Sequence, residues 1–533
     1  MDLGEIGRTL AERVRNAVGG RRSDAVLQIS WHGRGIRAAE WLDEGPPEDP
    51  NLYVDTFGVF PPDLPHGVYE MRLRRDGSYR FSFSSDIELL TERARFVFDP
   101  DFRYPGHPVP GMPRPAGIEP TGRPTDPAVL REVGALVGEF AERYTAIMGH
   151  APEWAPGASE EEIAAAETQV GVRLPEDLRA LFRLVGEDSG ETGLLSYYAH
   201  DSLETLVREY HDGLPGSCAG VSFDSPLEDT CPVFDADPPG RLKRVFRNDW
   251  WVTFGGNHGG EYLAVDLDPD IEGKPGQVLA YGDFSETPRL VGTSVTEMIE
   301  EVVKALRAGR YTLHEGDQRI EVHASFTDLP VRDPAESVRD GADPVEAIAG
   351  AEHPELVQAC YLRHDGDLDF TVFEPLRSLR DIGVRGAKTV TPTVTNLPLL
   401  ESLTIAAEQT DLKALAGHPT LWDLTLSDLT HPVDLSPLAT LPNLTRLAIS
   451  GLDIPAIDQL AHLPALGVLT LDANQLTRLL ASGHRLPQLA ALTVSGRVLL
   501  PDAVEFLRQL RDADVHLQEF TGSLSAPPEP ERA

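Results

Sequence analysis

Between residues 397 and 495 one apolar frame, L-x-x-L-x-L, returns again and again. The runs LPLLESLTI, LWDLTL, LPNLTRLAI, LPALGVLTL and LPQLAALTV set its first leucine at Leu400, Leu421, Leu444, Leu466 and Leu489, at intervals of 21, 23, 22 and 23 residues. Leu379, Ile382 and Val384 extend the frame upstream, 21 residues before Leu400. Alternation of apolar and polar residues marks a strand with one buried face. A unit this short cannot bury that face alone, whereas stacked copies share a continuous core. The chain is thereby committed to an elongated array of strands lying side by side, whose two ends need capping.

The frame resembles that of leucine-rich repeats, whose period runs from roughly 20 to 29 residues. The asparagine that usually follows it occurs once, as Asn474 in LTLDANQL, so the turns are expected to be short and irregular. Residues between the framework positions project from the concave sheet. These are Ser402, Thr404, Asp423, Thr425, Arg446, Ala448, Val468, Thr470, Ala491 and Thr493, with Ala406, Ser427, Ser450, Asp472 and Ser495 beside them. Most are small or polar, a ribbon able to take a protein lying across it but short of the aromatic and arginine anchors that dominate binding energy. The array is expected over 376–500, with a linker and cap over 311–375, a helical cap over 501–520 and a disordered tail over 521–533.

At 533 residues the chain is too long for a single core. Residues 1–98 read as a small α+β unit: a helix near 3–18, a strand in DAVLQISWHG, and a hairpin in GVYEMRLRRDGSYRFSFSSD. In the hairpin Tyr69, Met71 and Leu73 alternate, as do Tyr79, Phe81 and Phe83, around a bend at Asp76-Gly77. Residues 99–127 hold nine prolines and read as an extended linker, followed by a helix over 128–150. The expected fold class is multidomain: an α+β N-terminal unit, an α+β middle domain and an α/β repeat solenoid.

The middle domain, 151–310, opens with GASEEEIAAAETQVGVRLPEDLRALFRLVG. Ser159 and Glu162 form a capping-box pair, Ile163, Ala166 and Val170 an apolar helical face, and Gly171 a stop. Pro175 suits the first turn of the next helix, whose Leu178, Leu181, Phe182 and Val185 face one way. Strand-like runs YLAVDLD and GQVLAYG and a last helix, SVTEMIEEVVKALRAG, complete the α+β pattern. Paired helices carrying RLPEDLRAL, then WWVTFGGNHGGEYLAVDLDPDIEGKPGQVLAYG, then a closing helix, resemble the SUKH superfamily over about 160 residues. That family includes the Smi-Knr cell-wall regulators of yeast and many bacterial immunity proteins. The resemblance implies binding without catalysis, in bacteria the neutralisation of secreted toxins, often nucleases.

The glycine-rich stretch needs its own weighing. No G-x-x-x-x-G-K-[ST] or G-x-G-x-x-G string is present to cradle phosphate. Asp266, Asp268 and Asp270 imitate the start of a calcium loop, but Ile271 takes the place of its glycine and Gln277 that of its closing glutamate. The glycines at 255, 256, 259 and 260 therefore read as a tight strand connection. Trp250 and Trp251 are consecutive, so on a strand they point to opposite faces, one into the core and one outward. The candidate partner-binding residues are Trp250, Trp251, Asn257, His258, Glu261, Asp266 and Asp268. His200, His211 and His258 lack metal-like spacing, and neither an H-E-x-x-H helix nor a G-x-S-x-G turn occurs. No catalytic residue, metal or cofactor is expected.

Charge narrows the partner. The net charge of −38 repels phosphate backbones, which argues against nucleic acid. Residues 151–310 carry 13 basic against 30 acidic residues, the repeats from 397 to 495 only four against nine. No apolar run reaches the roughly 18–20 residues that span a bilayer, and the amphipathic start MDLGEIGRTLAERVRNAV has no signal-peptide core. The three cysteines, Cys218, Cys231 and Cys360, form no disulfide framework. The expectation is a cytoplasmic, non-enzymatic interaction protein, an SUKH-type immunity or antitoxin-like protein with a basic protein partner. A regulatory adaptor is the alternative, and an enzyme with a triad or pocket hidden from sequence is the other.

Overall fold

A computed structural model describes residues 2–19, 24–32, 35–42, 54–56, 58, 66–85, 87–90, 93–99, 102–106, 113–212, 232–245, 248–282, 285–314, 319–326, 335–337, 344–351, 354–511 and 515–524. Cys218, Cys231, part of the proline-rich stretch and residues 525–533 of the expected tail lie outside the described residues.

The N-terminal unit packs helix α1 (Leu3–Val18) on strands β1 (Ala25–His32), β2 (Gly35–Leu42), β3 (His66–Leu73) and β4 (Ser78–Ser84). Asp2 and Glu5 close a capping box at the start of α1, and its Ile6, Leu10 and Val14 meet Tyr69, Met71, Phe81 and Phe83 in one core. The approach is close: a Cβ on Gly7 would lie 2.9 Å from Phe81 Cγ. The hairpin bend falls at Asp76-Gly77, where Gly77 adopts φ 82° and Asp76 Oδ1 accepts from the Ser78 amide at 2.9 Å. The next hairpin, β5 (Glu88–Leu90) and β6 (Arg93–Val97), leaves this sheet for the repeat sheet. Residues 1–98 are thus shared between two sheets, and the single N-terminal unit expected from sequence is corrected.

Among the described residues the middle domain has five helices. They are α2 (Pro127–Met148), α3 (Glu160–Val170), α4 (Glu176–Leu184), α5 (Leu203–Asp212) and α6 (Val295–Arg307). Its antiparallel sheet runs in the order β11-β10-β9-β8-β7, from β7 (Ala199–His200), β8 (Trp251–Gly256), β9 (Glu261–Asp266), β10 (Gln277–Gly282) and β11 (Ser285–Gly292). Val133, Val137 and Phe140 of α2 enter the same core as α4, α6 and the sheet. The hairpin β12 (Tyr311–His314) and β13 (Arg319–Val322) adds Ile320 and Val322 to that core. The helix after the proline-rich stretch and the first part of 311–375 therefore belong to this domain, because their apolar faces have nowhere else to be buried.

The array begins with β14 (Ala335–Ser337), helix α7 (Pro344–Ala349), β15 (Ala359–Arg363) and β16 (Asp367–Asp369). It continues through β17 (Asp381–Thr391), β18 (Ser402–Thr410), β19 (Asp423–Ser427), β20 (Arg446–Ala448), β21 (Val468–Asp472) and β22 (Ala491–Ser495). Neighbours from β17 to β22 pair in parallel, in a register that aligns Asp381, Ser402, Asp423, Arg446, Val468 and Ala491. The framework leucines are buried in one continuous core, and short 3-10 turns and helix α8 (Ala473–Ala481) form the back. Asn474 points outward on α8. The adjacent Gln475, buried, donates to the Ile449 and Leu452 carbonyls at 2.8 Å and stitches two repeats together.

The far end is sealed by β6, antiparallel to β22, and by helix α9 (Leu500–Arg511). The chain then returns: β23 (Gln518–Ser523) joins the N-terminal sheet beside β4, Phe520 opposite Phe81. A strand stands where the sequence reading ends a helical cap and begins a disordered tail. Glu70 of β3, fully buried, accepts from Gln28 Nε2 at 2.7 Å and from the Leu500 amide at 2.6 Å, tying the N-terminal sheet to the start of α9.

Candidate functional site

The glycine-rich stretch folds as the β8–β9 hairpin. Asn257 Oδ1 accepts from the amides of Gly259 and Glu261, at 2.8 and 3.1 Å, while its Nδ2 donates to Glu261 Oε2 at 2.7 Å. His258 sits exposed at the tip with φ 57°. Asp266 is buried: one oxygen accepts from the Asp268 amide and the other from Gln277 Nε2, both at 2.9 Å, and burial pushes its pKa up to about 6. Asp268 accepts from Lys243 Nζ at 2.6 Å and Asn248 Nδ2 at 3.1 Å. The aspartate ladder thus spends its oxygens on the protein's own donors, and Asp266 is out of a partner's reach.

The two tryptophans point to opposite faces of the sheet. Trp251 is buried with Ala236, Leu242 and Leu279 under the segment 232–245. Trp250 donates from Nε1 to the Pro113 carbonyl at 3.1 Å, with the Arg114 guanidinium 5.8 Å above its ring. It holds the end of the proline-rich segment against the domain. His200 is fully buried between the Phe254 and Val185 carbonyls, and burial pushes its pKa down to about 4, so it is neutral near pH 7. His200 and His258 do not converge. Among the described residues no group of three or more His, Cys, Asp or Glu is placed to hold a metal, and no helix is long and apolar enough to cross a membrane.

Much of the concave repeat face is already covered by the chain itself. Tyr104 stacks on Trp422 with ring centroids 5.0 Å apart, and Phe102 joins it over Val468 and Ala491. Ser402 and Asp423 are buried, and Arg446 donates to Asp423 Oδ1 at 2.6 Å and to Thr425 Oγ1 at 3.1 Å. Asp472 caps α8 and accepts from the Gly451 amide at 3.0 Å. Thr404, Thr425, Thr470 and Thr493 remain as a half-buried row, one per strand.

Helices α3 and α5 flank an open cleft of about 590 Å³. Ala165, Ala166, Leu203 and Val207 line it, with Glu162, Glu187 and Glu204 around the rim. One end is closed where two segments cross backbone to backbone. A Cβ on Gly157 would sit 2.1 Å from the Arg183 carbonyl oxygen, and one on Gly186 2.2 Å from that of Pro156, so only glycine permits the approach. Glu162 is engaged in the α3 cap, accepting from the Ser159 amide at 2.7 Å. Glu187 and Glu204 are exposed and have no ion-pair partner among the described residues. Beside them, burial and then the carboxylates of Glu209 and Glu187 push Asp201 up to about 7.

The charged residues of RLPEDLRAL turn inward. Arg179, 1% exposed, is ion-paired with Glu167 of α3 at 2.7 Å and with Glu160 at 2.7 Å. Arg173 pairs with Glu176 at 2.6 Å, and Asp177 accepts from the Thr296 amide at the start of α6 at 3.1 Å. This polar string clamps the helices to each other. Residues 157–301 match the model of the SMI1 / KNR4 family (SUKH-1). They form a SUKH-1 domain.

Two relatives share sequence with part of the chain. The Schizosaccharomyces pombe cell wall biosynthesis/cell cycle regulator smi1 is 24% identical over 172 residues, 31% of this chain and 34% of that protein. A Neurospora crassa glucan synthesis regulatory protein is 27% identical over 88 residues, 16% of each. The chain therefore spans about a third or less of the length of these relatives. Among solved structures, an internalin (inlF) from Listeria monocytogenes aligns at 21% identity and TM-score 0.19, over 23% of this chain and 38% of that one. Internalin C2 of the same organism aligns at 23% identity and TM-score 0.20, over 26% and 72%. The repeat assignment rests on the parallel register described above and takes nothing from these scores.

Sequence reasoning missed the SUKH-1 cleft because small residues at helical spacing look like ordinary packing. It also missed the cover that Phe102 and Tyr104 of the proline-rich stretch give the array, for which Trp422 beside the repeat frame was the available signal: an exposed indole needs cover.

Proposed function

We propose that this chain is a non-enzymatic interaction protein whose SUKH-1 domain recognises a basic partner protein while the repeat array holds the domain in place. The observation that carries the reading is the rim of the α3–α5 cleft, where Glu187 and Glu204 face solvent without a cation among the described residues. The surplus of acidic residues over 151–310 supports it, since a one-signed surface steers an oppositely charged partner. An immunity or antitoxin-like role, covering a basic toxin, is the first form of this reading. A regulatory adaptor is the second, favoured by the ion pairs that fix the domain to the array and by the two relatives named as regulators.

The test uses the full chain as bait in its native cell extract, followed by association kinetics with the recovered partner. A basic partner whose association slows markedly between low and physiological salt is expected. Recovery of no partner, with turnover of a metabolite by the full chain, overturns the reading.

A further inference from the structure

The α3–α5 cleft combines two features that rarely coincide on a solvated helix face. Its lining is apolar and small, with Ala165 and Ala166 on one wall and Val207 on the other. Its edge is acidic, and among the described residues two of the three acids are not spent on the fold. Glu162 caps α3, but Glu187 and Glu204 take part in no ion pair among the described residues. Glu209, further along α5, acts on Asp201 and has one carboxylate oxygen buried and without a hydrogen-bond partner among the described residues. Burial first, and then the carboxylates of Glu209 and Glu187, push Asp201 up to about 7. Arg208 is the cation that bears on both Asp201 and Glu209.

Resting on the interaction reading above, we propose that this cleft seats a basic segment of a partner protein, with one aliphatic side chain on the alanine wall and flanking arginines or lysines at Glu187 and Glu204. The width and openness suit a peptide segment. A small metabolite would need convergent polar groups in an enclosed pocket, whereas this cleft is open and the charged groups that line it are all carboxylates. The apolar lining supplies the anchor and the acids the selection of sign, a division of labour common in peptide recognition.

The probe is a fluorescein-labelled dodecapeptide alternating arginine with leucine, titrated into the full chain and followed by anisotropy. A second peptide alternates arginine with serine and lacks the anchor. Ala165→Trp fills the cleft from an exposed helical position, and the pair Glu187→Lys with Glu204→Lys reverses the rim; thermal melts check that each variant is folded. Ala165→Trp is expected to weaken the arginine–leucine peptide at least tenfold and to leave the weaker arginine–serine binding unchanged. The rim reversal is expected to weaken both at least tenfold. Absence of binding, or arginine–leucine binding indifferent to Ala165→Trp, overturns the proposal. A native partner captured equally by the wild-type chain and by Ala165→Trp removes the cleft as the site and leaves the interaction reading standing, whereas failure of the wild-type chain to capture any partner removes that reading.

Discussion

One nitrogen of Arg244 lies 2.7 Å from each carboxylate oxygen of Glu401, a residue 157 positions later in the chain. Arg380 reaches the same glutamate at 2.6 Å and grips both oxygens of Asp235 at 2.9 Å. Two arginines and two carboxylates thus alternate across the contact between the SUKH-1 domain's 232–245 segment and the first repeats, and Gln358 adds a bond to the Asp235 amide at 2.7 Å. Charged groups so paired fix orientation, because their geometry tolerates little sliding.

Removing one partner should be costly, since it strands charges that are largely out of water. Glu401→Ala is expected to destabilise the chain by about 2–4 kcal/mol. Hydrogen exchange should rise first in 232–245, with strands β18 to β21 still protected. In a double-mutant cycle, Arg244→Ala with Glu401→Ala is expected to show coupling of roughly 1–3 kcal/mol; coupling near zero means the contact is not an energetic clamp.

Inside the SUKH-1 domain, Glu167 faces Arg179 in the core and accepts from the Leu174 amide at 2.9 Å. Glu167→Ala leaves a buried guanidinium with Glu160 as its remaining carboxylate beside the Arg123 carbonyl, and a loss of about 3–5 kcal/mol is expected from chemical denaturation. Glu161→Ala, on the exposed side of the same helix, serves as the control and is expected to change stability by less than about 0.5 kcal/mol.

The C-terminal strand closes the N-terminal sheet. Deleting residues 518–533 bares the edge of β4 and uncovers Phe81 beside Phe520. Amides of Ser78–Ser84 are expected to exchange faster by an order of magnitude or more, with increased aggregation, while the central repeats keep their protection. Equal exchange in the intact and shortened chains would show that β23 adds nothing.

Asp266 provides a pH test. Its native value of about 6, raised by burial, exceeds the ordinary 3.8, so the folded chain keeps a proton that the unfolded chain has already released between those values. That contribution is greatest below pH 4, falls as pH rises toward 6 and is constant above. The stability of wild type relative to Asp266→Asn, followed by chemical denaturation, should therefore decline across that window by an amount on the order of 3 kcal/mol, then level off. Using the difference cancels His200 and His418, which burial lowers and which act in the opposite sense below pH 6.5. A difference independent of pH would mean that Asp266 is not raised.

What could be read without coordinates was whatever repeats or ends locally. The framework leucines from Leu400 to Leu489, the Ser159 capping box and the Asp76-Gly77 bend each announce themselves within a few residues, because helix, strand and turn are set by short-range periodicity and backbone preference. The spacing of the repeats also carried the long-range consequence that the strands stack side by side, while their parallel register came from the structure. The order of features over 157–301 carried the family.

Polar roles were decided by tertiary structure alone. Nothing in the string around Asp266 says that Gln277 and the Asp268 amide will consume its oxygens, nor does Gln475 advertise that it, and not the adjacent Asn474, will stitch neighbouring repeats together. The union of β23 with β4, of β6 with β22, and of Arg244 with Glu401 joins segments that are far apart in the chain. Burial of an apolar face leaves a periodic trace in the sequence. The pairing of a charge or a sheet edge leaves none, since its partner is chosen by the path of the whole chain, and that is why the elements were legible and their assembly was not.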